Sequence, residues 1–190
     1  MKPFRKISQA LLALGSLGLI ITYFTPLWRI DLWAPQYPEG LSMKIWLTRL
    51  SGDVDIINGL NHYIGMAHIK EEMFPEFNVL PYFVGFYLVF GLLTAFLKNK
   101  RVLVAFLSTL ILGGIIAIYD FWKWGYEYGH NLSPDAAIKV PGMSYQPPLL
   151  GYKELLNFGA YSIPDTGGWL FVLLGVITIG VTFYEFKYNK

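Results

Sequence analysis

The chain has 190 residues, of which 54% are hydrophobic and 15% are charged, and its formal net charge is +2. Soluble domains average about 25% charged residues, so this composition favours a membrane protein over a soluble globular one. The chain contains no cysteine, which excludes disulfides, iron–sulfur clusters, thiolate metal sites and covalent c-type haem.

Four stretches are apolar, free of charged residues and histidine, and about 16–18 residues long. This length is near the lower limit for crossing a hydrocarbon core of about 30 Å. Because a bilayer offers the backbone no water, each spanning stretch must be helical. We predict an all-α membrane fold with a single domain, in which a four-helix transmembrane bundle carries a cap made of two long loops. The predicted spans are residues 10–25, 80–97, 102–119 and 168–184.

The first apolar stretch follows Lys2, Arg5 and Lys6, so it could be a cleaved signal peptide or a permanent anchor. It ends in the bulky residues TYFTPLW and lacks the small-x-small pattern that signal peptidase requires. We therefore expect an uncleaved transmembrane anchor.

The first long loop, residues 26–79 (loop 1), contains two segments in which apolar and polar residues alternate. These are residues 28–33 and 41–47, and period-two alternation indicates strands. Residues 34–40 between them are rich in proline and glycine, which favours a turn. We predict a short β-hairpin here, followed by a partly helical stretch at 57–77.

The second long loop, residues 120–166 (loop 2), begins with an aromatic cluster at 121–128. Aromatic rings are favoured in the headgroup layer, where we expect these rings to lie. Prolines at 141–148 exclude a long helix. We predict a short helix at 151–158.

Basic residues are distributed unevenly along the chain, and this predicts its orientation. The N-terminal segment, the 98–101 turn and the C-terminal segment together carry eight Lys or Arg residues and one acid, Glu185. Loops 1 and 2 carry the other seven bases and twelve acids. Positively charged segments stay in the cytoplasm. We therefore expect both termini on the cytoplasmic side of a bacterial cytoplasmic (inner) membrane, with both loops on the periplasmic side.

Every histidine, and every methionine except Met1, lies in loops 1 and 2. His62 and Met66 are four residues apart and would share a helix face, whereas His68 needs a turn to join them. Imidazole and thioether ligands without thiolate suit copper, Cu(I) in particular. The more common role of such residues is structural, because a methionine in an apolar stretch usually fills the core and a lone surface histidine usually binds nothing. The candidate copper ligands are His62, Met66, His68, His130 and Met143.

Acidic residues in loop 1 also have two interpretations. They could bind a cation or a basic partner, but a solvated charged face is the more common role of such residues. The residues concerned are Asp53, Asp55, Glu71, Glu72 and Glu76.

No pattern in the sequence indicates catalysis. We find no nucleophile elbow, hydrolase triad or phosphate-binding glycine loop. The predicted spans contain no Asp, Glu, Lys, Arg or His, which argues against an ion pump and against a haem ligated by histidine within the bilayer. We therefore expect no enzymatic activity and no catalytic residues.

Four stretches carry a family resemblance: Ala34–Leu41 (APQYPEGL), Ile57–Met66 (INGLNHYIGM), Glu127–Pro148 and Leu155–Trp169. They resemble the small four-span membrane proteins of clade II nitrous-oxide reductase gene clusters, the NosB-like proteins. The resemblance covers most of the chain, and it implies a setting in denitrification rather than an activity. In that setting a periplasmic multicopper enzyme must be supplied with copper and electrons.

Two functions are favoured over a third, an electron-transfer or quinol-interacting component, because the spans contain no histidine and the chain has no c-haem motif. In the first, the protein is an accessory protein that handles copper at the periplasmic face, in maturation or support of nitrous-oxide reductase. In the second, it is a non-catalytic membrane scaffold or complex subunit that docks a periplasmic partner. In both cases we expect contact with the lipid bilayer and with a periplasmic or membrane protein of a nitrous-oxide reductase system, and no nucleic-acid partner.

Overall fold

The computed structural model describes residues 4–155 and 157–189. Lys2 and Lys190, which contribute to the charge asymmetry, lie outside the described residues. Within the described part of the chain, four helices are long and apolar enough to cross a membrane, in agreement with the four predicted spans. They are Lys6–Tyr23, Leu80–Leu97 (α3), Lys100–His130 (α4) and Thr166–Tyr188 (α5). The first consists of α1 (Lys6–Gly18) and a 3-10 segment (Leu19–Tyr23).

The four helices pack into a bundle in which α1 and α4 each contact both α3 and α5. The bundle core contains the fully buried side chains of Leu12, Phe106 and Leu174. The outward faces stay apolar, as Ile115 and Val176 show with more than half of their surface exposed. Large exposed apolar surfaces are rare on soluble monomers, so these faces suit contact with lipid.

The bundle end opposite the sheet described below contains a buried carboxylate, Glu185, which lies just beyond the predicted end of the fourth span. Its Oε1 atom accepts hydrogen bonds from the Arg5 backbone N–H at 3.1 Å and from the Ser8 hydroxyl. Its Oε2 atom accepts one from Asn189 Nδ2 at 2.6 Å. Lys100 Nζ donates to the Glu185 carbonyl at 2.8 Å. These bonds join the N-terminal segment, the start of α4 and the end of α5.

At the other end of the bundle, five strands of the described chain form one antiparallel sheet. The strands are β1 (Trp28–Ala34), β2 (Tyr37–Ile45), β3 (Leu50–Gly52), β4 (Gly151–Leu155) and β5 (Phe158–Pro164). Their order in the sheet is β3-β2-β1-β5-β4. The central strand β1 pairs with both neighbours, so that Ile30 faces Met43 on one side and Ser162 on the other. Because β1–β3 come from loop 1 and β4–β5 from loop 2, the two loops form a single cap.

This sheet shows that the all-α prediction is wrong, because 17% of the chain lies in strands and the fold is mixed α/β. The predicted hairpin is confirmed as β1 and β2, joined by a turn at Pro35 and Gln36. The predicted short helix at 151–158 is instead β4 and the start of β5, with Leu156 outside the described residues. Strand β5 pairs with distant β1, and β4 pairs with β5. Both strands therefore belong to a sheet whose long-range contacts local periodicity does not reveal.

The cap has its own hydrophobic core between the inner face of the sheet, helix α2 (Val54–Tyr63) and the end of α4. Helix α4 has 31 residues, so it is about 46 Å long and exceeds a hydrocarbon core of about 30 Å. Phe121, Trp124 and Tyr128 therefore pack into the cap core, and Trp124 stacks on Tyr128 at 5.0 Å between ring centroids. These three rings of the aromatic cluster thus pack against the protein itself.

Candidate functional site

The segments that carry the histidines and methionines meet in the cap. Asn61 Nδ2 of α2 donates to Tyr128 Oη of α4 at 2.8 Å. After α2, the carbonyl oxygens of Tyr63 and Gly65 accept hydrogen bonds from the backbone N–H groups of Ile138 and Ser133, at 2.8 and 2.7 Å. Residues 57–68 and 128–138, which are far apart in the sequence, are therefore neighbours in the structure.

Two glycines allow close backbone approaches in the cap. Gly65 has a φ of +83°, a conformation that other residues rarely adopt, and a Cβ atom there would lie 2.8 Å from Ala136 Cβ. At Gly129 a Cβ atom would lie 2.3 Å from the Gln146 backbone. The Gly129 carbonyl also accepts a hydrogen bond from the Tyr145 N–H at 2.9 Å. Gly65 therefore permits the contact between the turn after α2 and loop 2, and Gly129 permits the contact between α4 and residues 145–146.

The loop after α2 is closed by Asn58, which is buried. Its Nδ2 atom donates to the Ile69 carbonyl at 2.9 Å, and its Oδ1 atom accepts from the Ile69 N–H at 2.7 Å. The Met66 N–H donates to the Asn61 carbonyl at 3.0 Å. These bonds turn the chain back, so that residues 67–69 lie beside α2.

This turn brings together two of the five candidate copper ligands. The rings of His62 and His68 have centroids 5.8 Å apart and are inclined by 59°. Both side chains are exposed to solvent. From the sequence, His68 could join His62 only if the chain turned after the helix that carries His62, and the structure contains this turn.

The other three candidates lie in different surroundings. Met66 is 7% exposed and packs in the cap core. His130 is exposed at the end of α4, where its ring stacks on Tyr126 at 4.0 Å and its Nδ1 lies 2.8 Å from the Tyr126 carbonyl. Met143 lies on the surface next to the Pro141–Gly142 turn. Within the described residues, no three His, Asp or Glu side chains converge as a metal site, and metal binding stays a prediction.

Two of the loop 1 acids have structural partners. Asp53 Oδ2 accepts a hydrogen bond from the Ser42 N–H at 2.9 Å, and Glu71 Oε1 accepts one from the Leu50 N–H at 2.9 Å. Both bonds support the edge of the sheet near β3. These carboxylates therefore stabilise the local backbone.

A cavity of about 50 Å³ lies between the sheet and α2. Tyr145 lines it and is 2% exposed, and its Oη has no hydrogen-bond partner within the described residues. Sequence reasoning missed this site because its residues come from several elements and share no motif. Leu32 and Ala160 of the sheet, Ile57 and Leu60 of α2, Met66 and Tyr145 form most of its wall.

A row of exposed rings runs along the opposite face of α4. Tyr119, Trp122, Tyr126 and His130 stack in order, with centroid separations of 6.1, 5.5 and 4.0 Å. Their spacing of three, four and four residues is helical, so the sequence already contained this signal. We call these four residues the ring row.

Comparison with known proteins assigns the chain to no family. No protein-family model matches it, and no match to it is found among curated proteins. The geometry of the cap and the chemistry of its side chains are therefore the basis for inferring a function.

Proposed function

We propose that this protein is a non-enzymatic membrane accessory protein that binds copper at its periplasmic face and passes it to a partner protein. The observation that carries the proposal is the pair of exposed imidazoles, His62 and His68, whose ring centroids are 5.8 Å apart. A first-row metal ion lies about 2 Å from each ligating imidazole nitrogen. Two rings at this separation can therefore share one ion after small side-chain rotations.

The ligand type favours copper over other metals. Imidazole binds copper, zinc, iron and nickel, and copper binds most tightly among the divalent first-row ions. The two imidazoles fill only two coordination positions of a bound ion, whereas a closed structural zinc site has four protein ligands. Positions left open by the pair can be taken by ligands of a partner, which suits transfer of the ion better than storage.

The backbone holds the imidazole pair in place before a metal binds. Asn58 fixes Ile69, the residue after His68, and Gly65 allows the tight turn between the two histidines. Met66 anchors the middle of this turn in the cap core. Preorganisation of this kind reduces the entropic cost of binding.

The position of the pair agrees with delivery outside the cytoplasm. Both histidines belong to the cap, and the basic residues of the chain are concentrated at the opposite end of the bundle and at the termini. By the positive-inside rule, this charge distribution supports a periplasmic cap and cytoplasmic termini. The resemblance to NosB-like proteins supports a setting in which a periplasmic nitrous-oxide reductase needs copper.

Copper loading of the purified protein tests this proposal. The detergent-solubilised protein is loaded with Cu(I), freed of unbound metal and assayed for copper per chain. We expect close to one copper per chain in the wild type and a loss of most of it in the His62→Ala/His68→Ala variant. Wild-type protein without copper would overturn the proposal.

Two matched variants locate the site more precisely. His130→Ala removes an exposed imidazole from the end of α4 and should retain copper. Met66→Leu replaces the buried thioether by an apolar side chain of similar volume and should also retain copper. Loss of copper in Met66→Leu would instead make the thioether a ligand, as the sequence spacing suggested.

A second function, docking of a periplasmic partner by a non-catalytic scaffold, is favoured by the ring row. Trp122 and Tyr126 are each more than 40% exposed, although aromatic side chains usually bury most of their surface. Aromatic residues are common anchors of protein interfaces. The ring row lies on a helical segment whose other face packs into the cap core, so its rings are presented on a folded element.

A further inference from the structure

The cavity between the sheet and α2 combines an apolar wall with buried polar side chains. Most of its lining is aliphatic or aromatic, with Leu32 and Ala160 on the sheet side and Ile57 on the α2 side. The polar side chains in its wall are Asn61 and Tyr145, and no charged side chain of the described residues lines it. Asn61 already donates to Tyr128 Oη.

Tyr145 is the unusual group in this wall. Its side chain is 98% buried, and its Oη lacks a hydrogen-bond partner within residues 4–155 and 157–189. Buried hydroxyls nearly always have a partner, because an unpaired one loses its hydrogen bonds to water on folding. The backbone fixes the residue, since its N–H donates to Gly129. The phenol therefore stays beside the cavity.

We propose that this cavity is a binding site for a small neutral molecule whose hydroxyl or carbonyl group is hydrogen-bonded to Tyr145 Oη. One water-sized position needs about 10–15 Å³, so a cavity of about 50 Å³ holds about three or four non-hydrogen atoms. The absence of charged lining among the described residues excludes an ion as occupant, because a buried charge needs a partner. The wall is mostly apolar, whereas each buried water needs about two to four polar partners, and this disfavours a cluster of waters.

The test uses 2-propanol, which has three carbons and one hydroxyl. The full chain is placed in nanodiscs with tyrosine labelled at Cζ with ¹³C, and the alcohol is titrated during NMR measurement. We expect a saturable shift of the Tyr145 resonance, with half-saturation on the order of millimolar, as such a small ligand allows. The Tyr145→Phe variant assigns that resonance. Tyr152, an exposed phenol on β4, is the internal control and should not saturate.

A filled cavity provides the decisive variant. Ala160→Leu adds three carbons at a fully buried position on β5, and the saturable shift should then disappear. An unchanged Tyr128 resonance shows that the cap of the Ala160→Leu variant remains folded. If that resonance changes, Leu60→Phe, which also fills the cavity, is tested instead.

Two results would overturn the proposal. In the first, the chemical shift of Tyr145 changes linearly with the concentration of 2-propanol, as that of Tyr152 does, and magnetisation transfer to Tyr145 is detected from water but not from the alcohol. The second is a saturable shift that survives unchanged in a folded Ala160→Leu variant.

Discussion

The indole N–H of Trp28 donates to Ser162 Oγ at 2.7 Å across the pairing of β1 with β5. Trp28 belongs to loop 1, and Ser162, which is fully buried, belongs to loop 2. Ser162 Oγ also donates to the Leu149 carbonyl at 3.1 Å. This contact joins the two loops into one cap, and residues of both loops line the cavity.

Ser162→Ala should weaken the union of the two loops. The change leaves the indole N–H of Trp28 without its acceptor, which costs about 1–3 kcal/mol. Hydrogen exchange of the β5 backbone amides should accelerate. Ser51→Ala is the matched control, because Ser51 accepts a similar bond from Trp46 at 2.7 Å within loop 1 alone. Equal acceleration in β5 for both variants would show that the Trp28–Ser162 bond has no special role.

Asn58→Ala should open the turn that holds His68 beside His62. It removes both hydrogen bonds to the buried backbone of Ile69, which costs about 1–3 kcal/mol. We expect faster exchange of the Ile69 amide and weaker copper binding, although both imidazoles remain. The exposed residue Asn131 provides the control, and Asn131→Ala should change neither quantity. Full copper affinity with an unprotected Ile69 amide would show that the turn does not preorganise the site.

Gly65→Ala should destabilise the junction between α2 and loop 2. The positive φ costs a residue with a side chain about 1–2 kcal/mol, and the added Cβ would lie 2.8 Å from Ala136 Cβ. Gly59→Ala is the control, because Gly59 lies in α2 with open space around it and alanine stabilises a helix by up to about 1 kcal/mol. The midpoint temperature of thermal unfolding should therefore fall for Gly65→Ala and stay the same or rise for Gly59→Ala.

Single cysteines test the proposed orientation of the chain, which has no cysteine of its own. Gln36→Cys, at the exposed tip of the β1–β2 turn, should react with a membrane-impermeant maleimide added to intact spheroplasts. Lys187→Cys, near the end of α5, should react only after the membrane is opened. The reverse pattern would place the cap in the cytoplasm and remove the basis for periplasmic copper delivery.

Trp122 and Trp124 are two residues apart on α4 and should respond differently to substitution. Trp124 packs against Phe74 and Tyr128 with centroids 5.3 and 5.0 Å away, so Trp124→Ala should cost about 3–5 kcal/mol of stability. Trp122→Ala should leave thermal stability unchanged, because Trp122 belongs to the exposed ring row.

Under the scaffold function, Trp122→Ala should also reduce the amount of docked partner that co-purifies with the protein in mild detergent. Equal recovery of the partner with wild type and Trp122→Ala would exclude the ring row as its anchor.

The candidate site was predictable only in part. The sequence alone shows that His62, His68 and His130 lie in the two long loops at the same end of the bundle, because hydropathy distinguishes loops from spans. Helical spacing then grouped Met66 with His62, but the structure buries Met66 in the cap core and brings His68 to His62 instead. The direction of each side chain depends on a turn closed by Asn58 and Gly65, and neither residue belongs to a metal-ligand motif.

Local patterns in the sequence alone determined the four apolar helices and the β1–β2 hairpin. Hydropathy and alternation act over a few residues, so they can be recognised without knowledge of the fold. Only the tertiary structure decided that β4 and β5 are strands, that two loops form one sheet, and that Tyr145 lines a cavity. The physical reason is that backbone pairing joins Ile30 to Ser162, and packing brings Tyr145 of loop 2 to Leu32 and Ile57 of loop 1. Local periodicity contains no information about contacts between residues so far apart in the sequence.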